Sequence, residues 1–268
     1  MPDITFYDIA MRPPEEENSC SPNPWKARYA LNYKTAEYKT VWVQLPDIAA
    51  VRKELAVPAV RKFADGSDYY TLPVAIDHKF NAKVGDSFEI AAHLEQHYAP
   101  DKKLFPEAKL DFEWHKDEGF VVPLSDPRGT EYTNFETFNR KVDAAFSTHA
   151  GLMADDLPFN PKFIDEIRAE FARRAHVDSW DVFVIKGEAR KQLLDSLESM
   201  LKQLATLFRP DPTAPFVLGA LPCYADFIVG GWLKMMHRTL PEWPQIRQWH
   251  NGLYGILYDA LEPYAVVN

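Results

Sequence analysis

Short apolar runs of strand type alternate with helical runs over the first hundred residues. Apolar side chains at every second position predict strands, and apolar side chains three or four positions apart predict helices. The predicted strands are 4–9, 38–45 and 69–77, and the predicted helices are 23–34, 47–55 and 86–98. A turn is predicted from about Asp77 to Gly85. This alternation predicts an α/β layer.

Helical periodicity dominates from about Leu104 onward. Helices are predicted at 163–175, 187–208 and 221–240. The third is apolar on all sides, which is typical of a buried helix. A polar stretch bracketed by prolines separates the two patterns. We therefore predict a small α/β domain over residues 1–99, a linker over 100–107, and an all-helical domain over 108–268.

Composition and charge narrow the range of partners. The 268 residues are 46% hydrophobic and 26% charged, as in an ordinary globular protein, with a formal net charge of −9. This charge argues against nucleic acid or an anionic membrane as the main partner. We expect no membrane span, because no run of 18 apolar residues occurs. The first residues also lack the pattern of a signal peptide, so a cytoplasmic location is predicted.

Cysteines and histidines give no strong signal for a disulfide or a metal. Cys20 and Cys223 are the two cysteines of the chain, too few for a disulfide framework. The eight histidines show no metal-ligand spacing, so no metal site is expected.

Two short motifs lie at places where a backbone could meet a ligand. Pro73 falls inside a strand pattern, which indicates either an edge strand or a cis-proline that turns the preceding backbone towards a ligand. Asp86 begins a predicted helix and Glu89 follows three residues later, the pattern of a capping box. With Ser87 between them, the same helix start could also bind a carboxylate.

A third motif, CSPNP over residues 20–24, precedes the first helix. Ser21 and Asn23 are both acceptable N-cap residues. A hydroxyl at a helix N-terminus could also donate to a bound thiolate, because that position lowers a thiol pKa. Cys20 could be a nucleophile of its own, but the stretch lacks the second cysteine of a dithiol redox motif.

Together these motifs carry a family resemblance. SPNPWKARYAL, TLPVAI and DSFEIAAHLE, followed by a helical region, resemble a glutathione transferase over nearly the whole chain. The resemblance implies a thioredoxin-like N-terminal domain and an all-α C-terminal domain. The acidic loop before SCSPNPWKAR and the extended AVPAVRKFADGSDYYTLP are similar to the fungal FuA class, which is related to bacterial glutathione-dependent β-etherases.

The resemblance also implies roles for particular residues. Ser21 occupies the position of the catalytic serine, with Asn23 as a second donor nearby. The backbone of Leu72, before Pro73, would pair with the cysteinyl part of glutathione. Asp86 and Ser87 would hold its γ-glutamyl end.

The resemblance leaves the roles of some other residues undecided or gives them none. Lys53, Arg61 and Lys62 are equal candidates for the glycyl carboxylate of glutathione. Cys20 lies one residue before the family position and is expected to be a bystander. Cys223 stands where the family has Ser or Thr in a helix cap, with Asp226 in place. Because cysteine caps poorly, this local cap is in doubt.

The implied function is a serine-type glutathione transferase that acts in detoxification as a homodimer. It would activate glutathione as a thiolate for attack on a hydrophobic aromatic small molecule, with β-etherase-like ether cleavage as one form of the reaction. Two alternatives stay open: a non-catalytic carrier (ligandin) of hydrophobic aromatic compounds, and a glutathione-dependent thiol oxidoreductase that uses Cys20.

Overall fold

A computed structural model describes residues 2–114, 129–209 and 211–268. Its strands are β1 (Ile4–Ile9), β2 (Tyr38–Val43), β3 (Arg61–Lys62), β4 (Asp68–Tyr69), β5 (Val74–Asp77) and β6 (Ala82–Val84). Four of them form one sheet in the order β2-β1-β5-β6, and β3 and β4 form a separate hairpin. Strand β1 pairs with β2 in parallel and with β5 antiparallel.

Helices lie between these strands along the chain, and the C-terminal part is helical. They are α1 (Glu15–Asn18), α2 (Pro22–Tyr33), α3 (Ile48–Glu54), α4 (Ser87–His97), α5 (Thr133–Ser147), α6 (Ile164–Ala175), α7 (Gly187–Leu204), α8 (Tyr224–Thr239), α9 (Trp243–Ile246) and α10 (Trp249–Leu261). The predicted fold class, an α/β N-terminal part followed by a helical C-terminal part, is confirmed. The predicted boundaries at 1–99, 100–107 and 108–268 stay a prediction.

The structure corrects the sequence prediction at three elements. Strand β6 lies where a turn was expected, because its three residues are too few to show an alternating pattern. Helix α5 was not predicted, although buried Phe135, Phe138, Val142 and Phe146 form an apolar stripe along it. Helix α10 was also missed. Its backbone enters the left-handed region at His250, Asn251 and Gly252, which breaks the helical periodicity.

Pro73 does not lie on an edge strand. The predicted strand 69–77 is divided, with β4 ending at Tyr69 and β5 beginning at Val74. Strand β5 lies inside the sheet, between β1 and β6. A proline within an inner strand would remove a ladder donor, so the regular strand begins after it. The Leu72–Pro73 peptide bond is cis, as one of the two interpretations expected, and Pro13–Pro14 is cis as well.

Helix α2 is buried on nearly all sides and packs against α4 and α8. Its close approach to α8 depends on two adjacent glycines of α8. A Cβ atom at Gly231 would lie 2.5 Å from the carbonyl oxygen of Pro22, and one at Gly230 would lie 3.1 Å from the ring of Tyr29. Larger side chains at these two positions would push α2 away from α8.

Three buried cations on α2 and at its C-terminal end are each paired with an acid on a different element. Arg28 contacts Asp8 of β1 at 2.5 Å, Lys34 contacts Glu95 of α4 at 2.7 Å, and Lys26 contacts Asp143 of α5. A buried charge without a partner is strongly destabilising, so each pair is expected to help fix the position of α2 against a separate neighbour.

The N-terminus of α8 is capped despite the cysteine at the N-cap position. The carboxylate of the buried Asp226 accepts the backbone N–H groups of Cys223 and Val217, each at 2.8 Å. A capping box between Cys223 and Asp226 is present, so the doubt about this cap was wrong. Burial raises the pKa of Asp226 to about 6, and the two backbone hydrogen bonds oppose this rise.

Among the residues that the structure describes, no helix is long and apolar enough to cross a membrane.

Replacing Asp226 by Ala is expected to destabilise the fold. A buried N–H group left without an acceptor costs about 1–3 kcal/mol, and Asp226 serves two N–H groups. Denaturant unfolding should show at least this loss in the free energy of unfolding. Asp259→Ala is the control, because this exposed carboxylate only pairs with Arg247 and should cost about 0–1 kcal/mol. Equal losses in the two variants would contradict the capping role of Asp226.

Candidate functional site

A cavity of about 510 Å³ lies between the N-terminus of α2 and the helical part of the chain. Ser21, Asn23 and Leu72 line it from the α/β part. Its opposite wall is aromatic and consists of Phe159, Phe171, Trp180, Phe183 and Trp232. The cavity therefore joins a polar end at a helix N-terminus to an apolar end.

Ser21 is the N-cap residue of α2, but its side chain makes no capping hydrogen bond. The sequence explains why the helix does not need one. Pro22 and Pro24 occupy the first turn and have no N–H group, and the N–H of Trp25 already bonds to the carbonyl of Ser21 at 3.2 Å. The backbone N–H of Asn23 is thus the one donor that the first three helical positions offer. Ser21 is thus an N-cap by position only, and its hydroxyl is not used by the helix.

Asn23 is held by a neighbour on the same helix. Its side-chain carbonyl oxygen accepts a hydrogen bond from Nζ of Lys26 at 2.9 Å. The orientation of the amide is fixed in this way, with the oxygen towards Lys26 and the NH₂ group on the other side.

Asp86 and Ser87 lie at the start of α4 and are buried. Asp86 caps the helix, since its Oδ1 accepts the N–H groups of Phe88 at 2.8 Å and Glu89 at 3.4 Å. Neither residue lines the cavity itself, and nor does Pro73. The charge of Asp86 nevertheless acts on Lys26: burial lowers the pKa of Lys26, and Asp143 and Asp86 oppose this shift.

The three basic residues considered for the glycyl carboxylate of glutathione lie in different surroundings. Arg61 is buried and lines the cavity. Nζ of Lys53 lies over the ring of Tyr70, 5.5 Å from its centroid, and the exposed Lys62 pairs with Asp68. Sequence analysis had no means to prefer Arg61, because β3 has only two residues and no pattern to show which side chain points inward.

Positive charge is concentrated at this cavity although the chain as a whole is acidic. Within the described ranges, the charged residues that line it are Arg61 and Arg174. Arg174 of α6 also links the two parts of the chain, because its Nη1 donates to the carbonyl of Tyr70 at 3.0 Å. Its Nε bonds to Glu170 of the same helix at 2.8 Å. Over the same ranges, no group of three or more His, Cys, Asp or Glu is arranged to hold a metal ion.

Comparison with known proteins agrees with this geometry. Residues 168–264 match the family model described as glutathione S-transferase, C-terminal domain. The chain is 29% identical over 288 aligned positions to the glutathione S-transferase-like protein ustS of Aspergillus flavus, covering 96% of this chain and 89% of that protein. The crystal structure of glutathione transferase GSTFuA2 from Phanerochaete chrysosporium is 26% identical, with a TM-score of 0.76 and both chains covered completely.

The family model, the curated relative and the FuA structures support the predicted glutathione transferase superfamily and its FuA-like subgroup. A second similar structure is a glutathione S-transferase, CsGST63524, of Ceriporiopsis subvermispora in complex with glutathione. It is 27% identical with a TM-score of 0.73, covering 99% of this chain and 98% of that one.

Cys20 lines the cavity but is fully buried. Burial raises the pKa of its thiol to about 12, the charge of Asp8 adds to the rise, and Arg238 opposes it. Burial also raises the pKa of Cys223 well above its ordinary value. Because the thiolate is the reactive form of cysteine, neither residue is placed as a nucleophile at neutral pH.

Both thiols of the folded transferase should therefore resist labelling. With a pKa of about 12, only about one Cys20 in ten thousand is ionised at pH 8. We expect 5,5′-dithiobis(2-nitrobenzoate) to titrate two thiols in denaturant and close to none in native protein over the same period. A thiol of the native protein that reacts within seconds at neutral pH would contradict the burial of Cys20 and would support the oxidoreductase alternative.

Proposed function

We propose that this glutathione transferase binds glutathione at the N-terminus of α2 and uses its thiolate to attack an apolar aromatic electrophile. The observation that carries the proposal is the placement of two side chains with hydrogen-bond donors, Ser21 and Asn23, in the same cavity as an aromatic wall. The hydroxyl of Ser21 is not used as a cap, and the amide of Asn23 is held in one orientation. Donors that meet the charged form of a thiol lower its pKa.

The rest of glutathione is proposed to lie along the α/β part. The backbone of Leu72, which lines the cavity beside the cis peptide bond, would pair with the cysteinyl unit. Asp86 and Ser87 would meet the γ-glutamyl end, and Arg61 the glycyl carboxylate, because it is the basic candidate that lines the cavity. The glutathione complex of the Ceriporiopsis relative supports the choice of ligand.

The proposed reaction is a nucleophilic substitution. Glutathione loses its thiol proton to solvent, and the sulfur forms a bond to an electrophilic carbon. The bond from this carbon to the leaving group breaks, and the leaving group departs with the electron pair. If that group is an aryloxide, which then takes up a proton, the same step is a β-etherase-like ether cleavage. Ser21 and Asn23 contribute by raising the fraction of thiolate at neutral pH.

The aromatic wall sets the proposed class of second substrate. Trp180 packs with Phe159 at 5.3 Å and with Phe171 at 5.4 Å between ring centroids, so these three side chains form one aromatic cluster of the wall. A cavity of about 510 Å³ is in the size range that holds a drug-sized ligand. A hydrophobic aromatic molecule fits this chemistry better than a charged one.

A carrier is the second candidate function, favoured by the same aromatic wall. An apolar cavity would hold aromatic compounds with or without turnover, so the distinction depends on Ser21 and Asn23. The thiol oxidoreductase is disfavoured by the burial of Cys20. A homodimer, a cytoplasmic location and a role in detoxification stay predictions from the family resemblance.

Ser21→Ala and Asn23→Ala are expected to slow the conjugation of glutathione to 1-chloro-2,4-dinitrobenzene. A hydrogen bond to a charged group is worth about 1.5–3 kcal/mol, so we expect about tenfold to a hundredfold losses in kcat/KM for the dominant donor. Cys20→Ser is the control and should change the rate little. Unchanged rates in both donor variants would contradict their role, whereas aromatic binding without conjugation by the wild type would favour the carrier. A severe loss in Cys20→Ser would overturn the mechanism.

Glutathione affinity tests the proposed contacts with the two ends of glutathione, its glycyl carboxylate and its γ-glutamyl group. Arg61→Gln and Ser87→Ala should each weaken the retention of the protein on immobilised glutathione, by about tenfold or more in Kd for the loss of a charged hydrogen bond. Asp86→Asn should do the same and keeps an oxygen for the helix cap. Lys62→Gln is the matched control, since Lys62 adjoins Arg61 but is exposed and paired with Asp68. Wild-type affinity in both Arg61→Gln and Asp86→Asn would contradict this assignment.

A further inference from the structure

Lys26 is a fully buried cation one helical turn after Asn23. Its Nζ donates to Oδ1 of Asn23 at 2.9 Å, to Oδ1 of Asn139 at 2.9 Å, and to Oδ1 of Asp143. An ammonium group has three N–H donors, and these three acceptors use all of them. A neutral amine has only two N–H bonds, so the arrangement fits the charged form.

Asp143 connects Lys26 to a residue of the aromatic wall, Trp232. The same oxygen that meets Lys26 also accepts the indole N–H of Trp232 at 2.8 Å. Trp232 lines the cavity and stacks on Phe146 with ring centroids 5.1 Å apart. Lys26 and Asp143 do not line the cavity, yet they join a residue of its polar end to a residue of its apolar wall.

We propose that Lys26, held by Asp143, is a positioning residue that fixes the amide of Asn23 as a donor to the thiolate of glutathione. This inference rests on the proposed function. If the amide rotated by half a turn, its NH₂ group would face the ammonium of Lys26, with donor against donor. The ammonium therefore keeps the NH₂ group on the side away from itself. By polarising the amide carbonyl it also makes the N–H bonds better donors.

The charged groups around Lys26 shift the pKa of its ammonium group. Burial lowers the pKa of Lys26, and the charge of Arg61 adds to this effect. The charges of Asp143 and Asp86 oppose it, and Asp143 also accepts a hydrogen bond from the ammonium. The proposal depends on the geometry of the three acceptors, which requires an ammonium group at the pH of the assay.

A purely structural role for Lys26 is the alternative, and α2 provides a matched control. Lys34 is buried at the C-terminal end of the helix and pairs with Glu95 at 2.7 Å. It also donates to the carbonyl of Ala99 at 3.2 Å. At 1.5 Å per residue, its backbone lies about 12 Å along the helix from that of Lys26. Lys34→Met breaks a buried ion pair of the same helix, but it does not touch Asn23 or the cavity.

The test measures the pKa of the thiol of glutathione bound to the full-length protein, from the thiolate absorbance near 240 nm as the pH is raised. Lys26→Met should raise this pKa by about one unit and lower kcat/KM with 1-chloro-2,4-dinitrobenzene about tenfold at neutral pH. The double variant Lys26→Met with Asn23→Ala should be no worse than Asn23→Ala alone, because Lys26 acts through Asn23. Lys34→Met should lower the melting temperature and leave the thiol pKa unchanged.

Each other outcome overturns the proposal in a distinct way. If the wild type saturated with glutathione shows no thiolate absorbance, the proposed function fails and this inference fails with it. If thiolate forms equally in the wild type and in Lys26→Met, or if the losses multiply in the double variant, only the positioning role fails. Should Lys26→Met not fold, Asn139→Ala removes one acceptor and loosens Lys26. An unchanged thiol pKa in that variant would overturn the role.

Discussion

The structure depends on how a helix buried on nearly all sides accommodates three cations. Lys26, Arg28 and Lys34 are all buried, and each meets an acid on a different element, namely α5, β1 and α4. Removing one partner of a buried pair costs about 3–5 kcal/mol, so α2 has little freedom to shift in any of these directions. The close approach to α8 at Gly230 and Gly231 restricts a further side. A helix held in this way presents its N-terminus to the cavity in one position.

The N-terminus of α2 is suited to a ligand because the helix has few free backbone N–H groups there that need a cap. Pro22 and Pro24 remove two of the N–H groups that a cap would normally satisfy, so the hydroxyl of Ser21 is not committed to the helix. Asn23 supplies a backbone N–H and an amide that Lys26 holds in one orientation. The same charge pair that docks α2 onto the helical part thus also orients a side chain of the proposed site. Stability and function are coupled through Lys26.

The residues predicted from the sequence lie in short local motifs. The residues that were missed depend on contacts with distant parts of the chain. Ser21 and Leu72 were proposed from short patterns that correspond, in the structure, to a helix start and a cis peptide bond. Lys26 was missed because its partner Asp143 lies 117 positions away, on a helix whose inward face is partly polar. Arg61 could not be preferred over its neighbours, since a strand of two residues shows no periodicity. Trp180 belongs to the aromatic wall through a short 3₁₀ turn that has no apolar repeat.

In the proposed function, the sulfur of glutathione lies at the N-terminus of α2 and faces the aromatic wall. A crystal structure of this protein with glutathione bound would locate the sulfur. We expect it within hydrogen-bonding distance of Oγ of Ser21 or Nδ2 of Asn23, with the γ-glutamyl end towards Asp86. A sulfur bonded to Cys20, or a glutathione molecule bound away from α2, would contradict it.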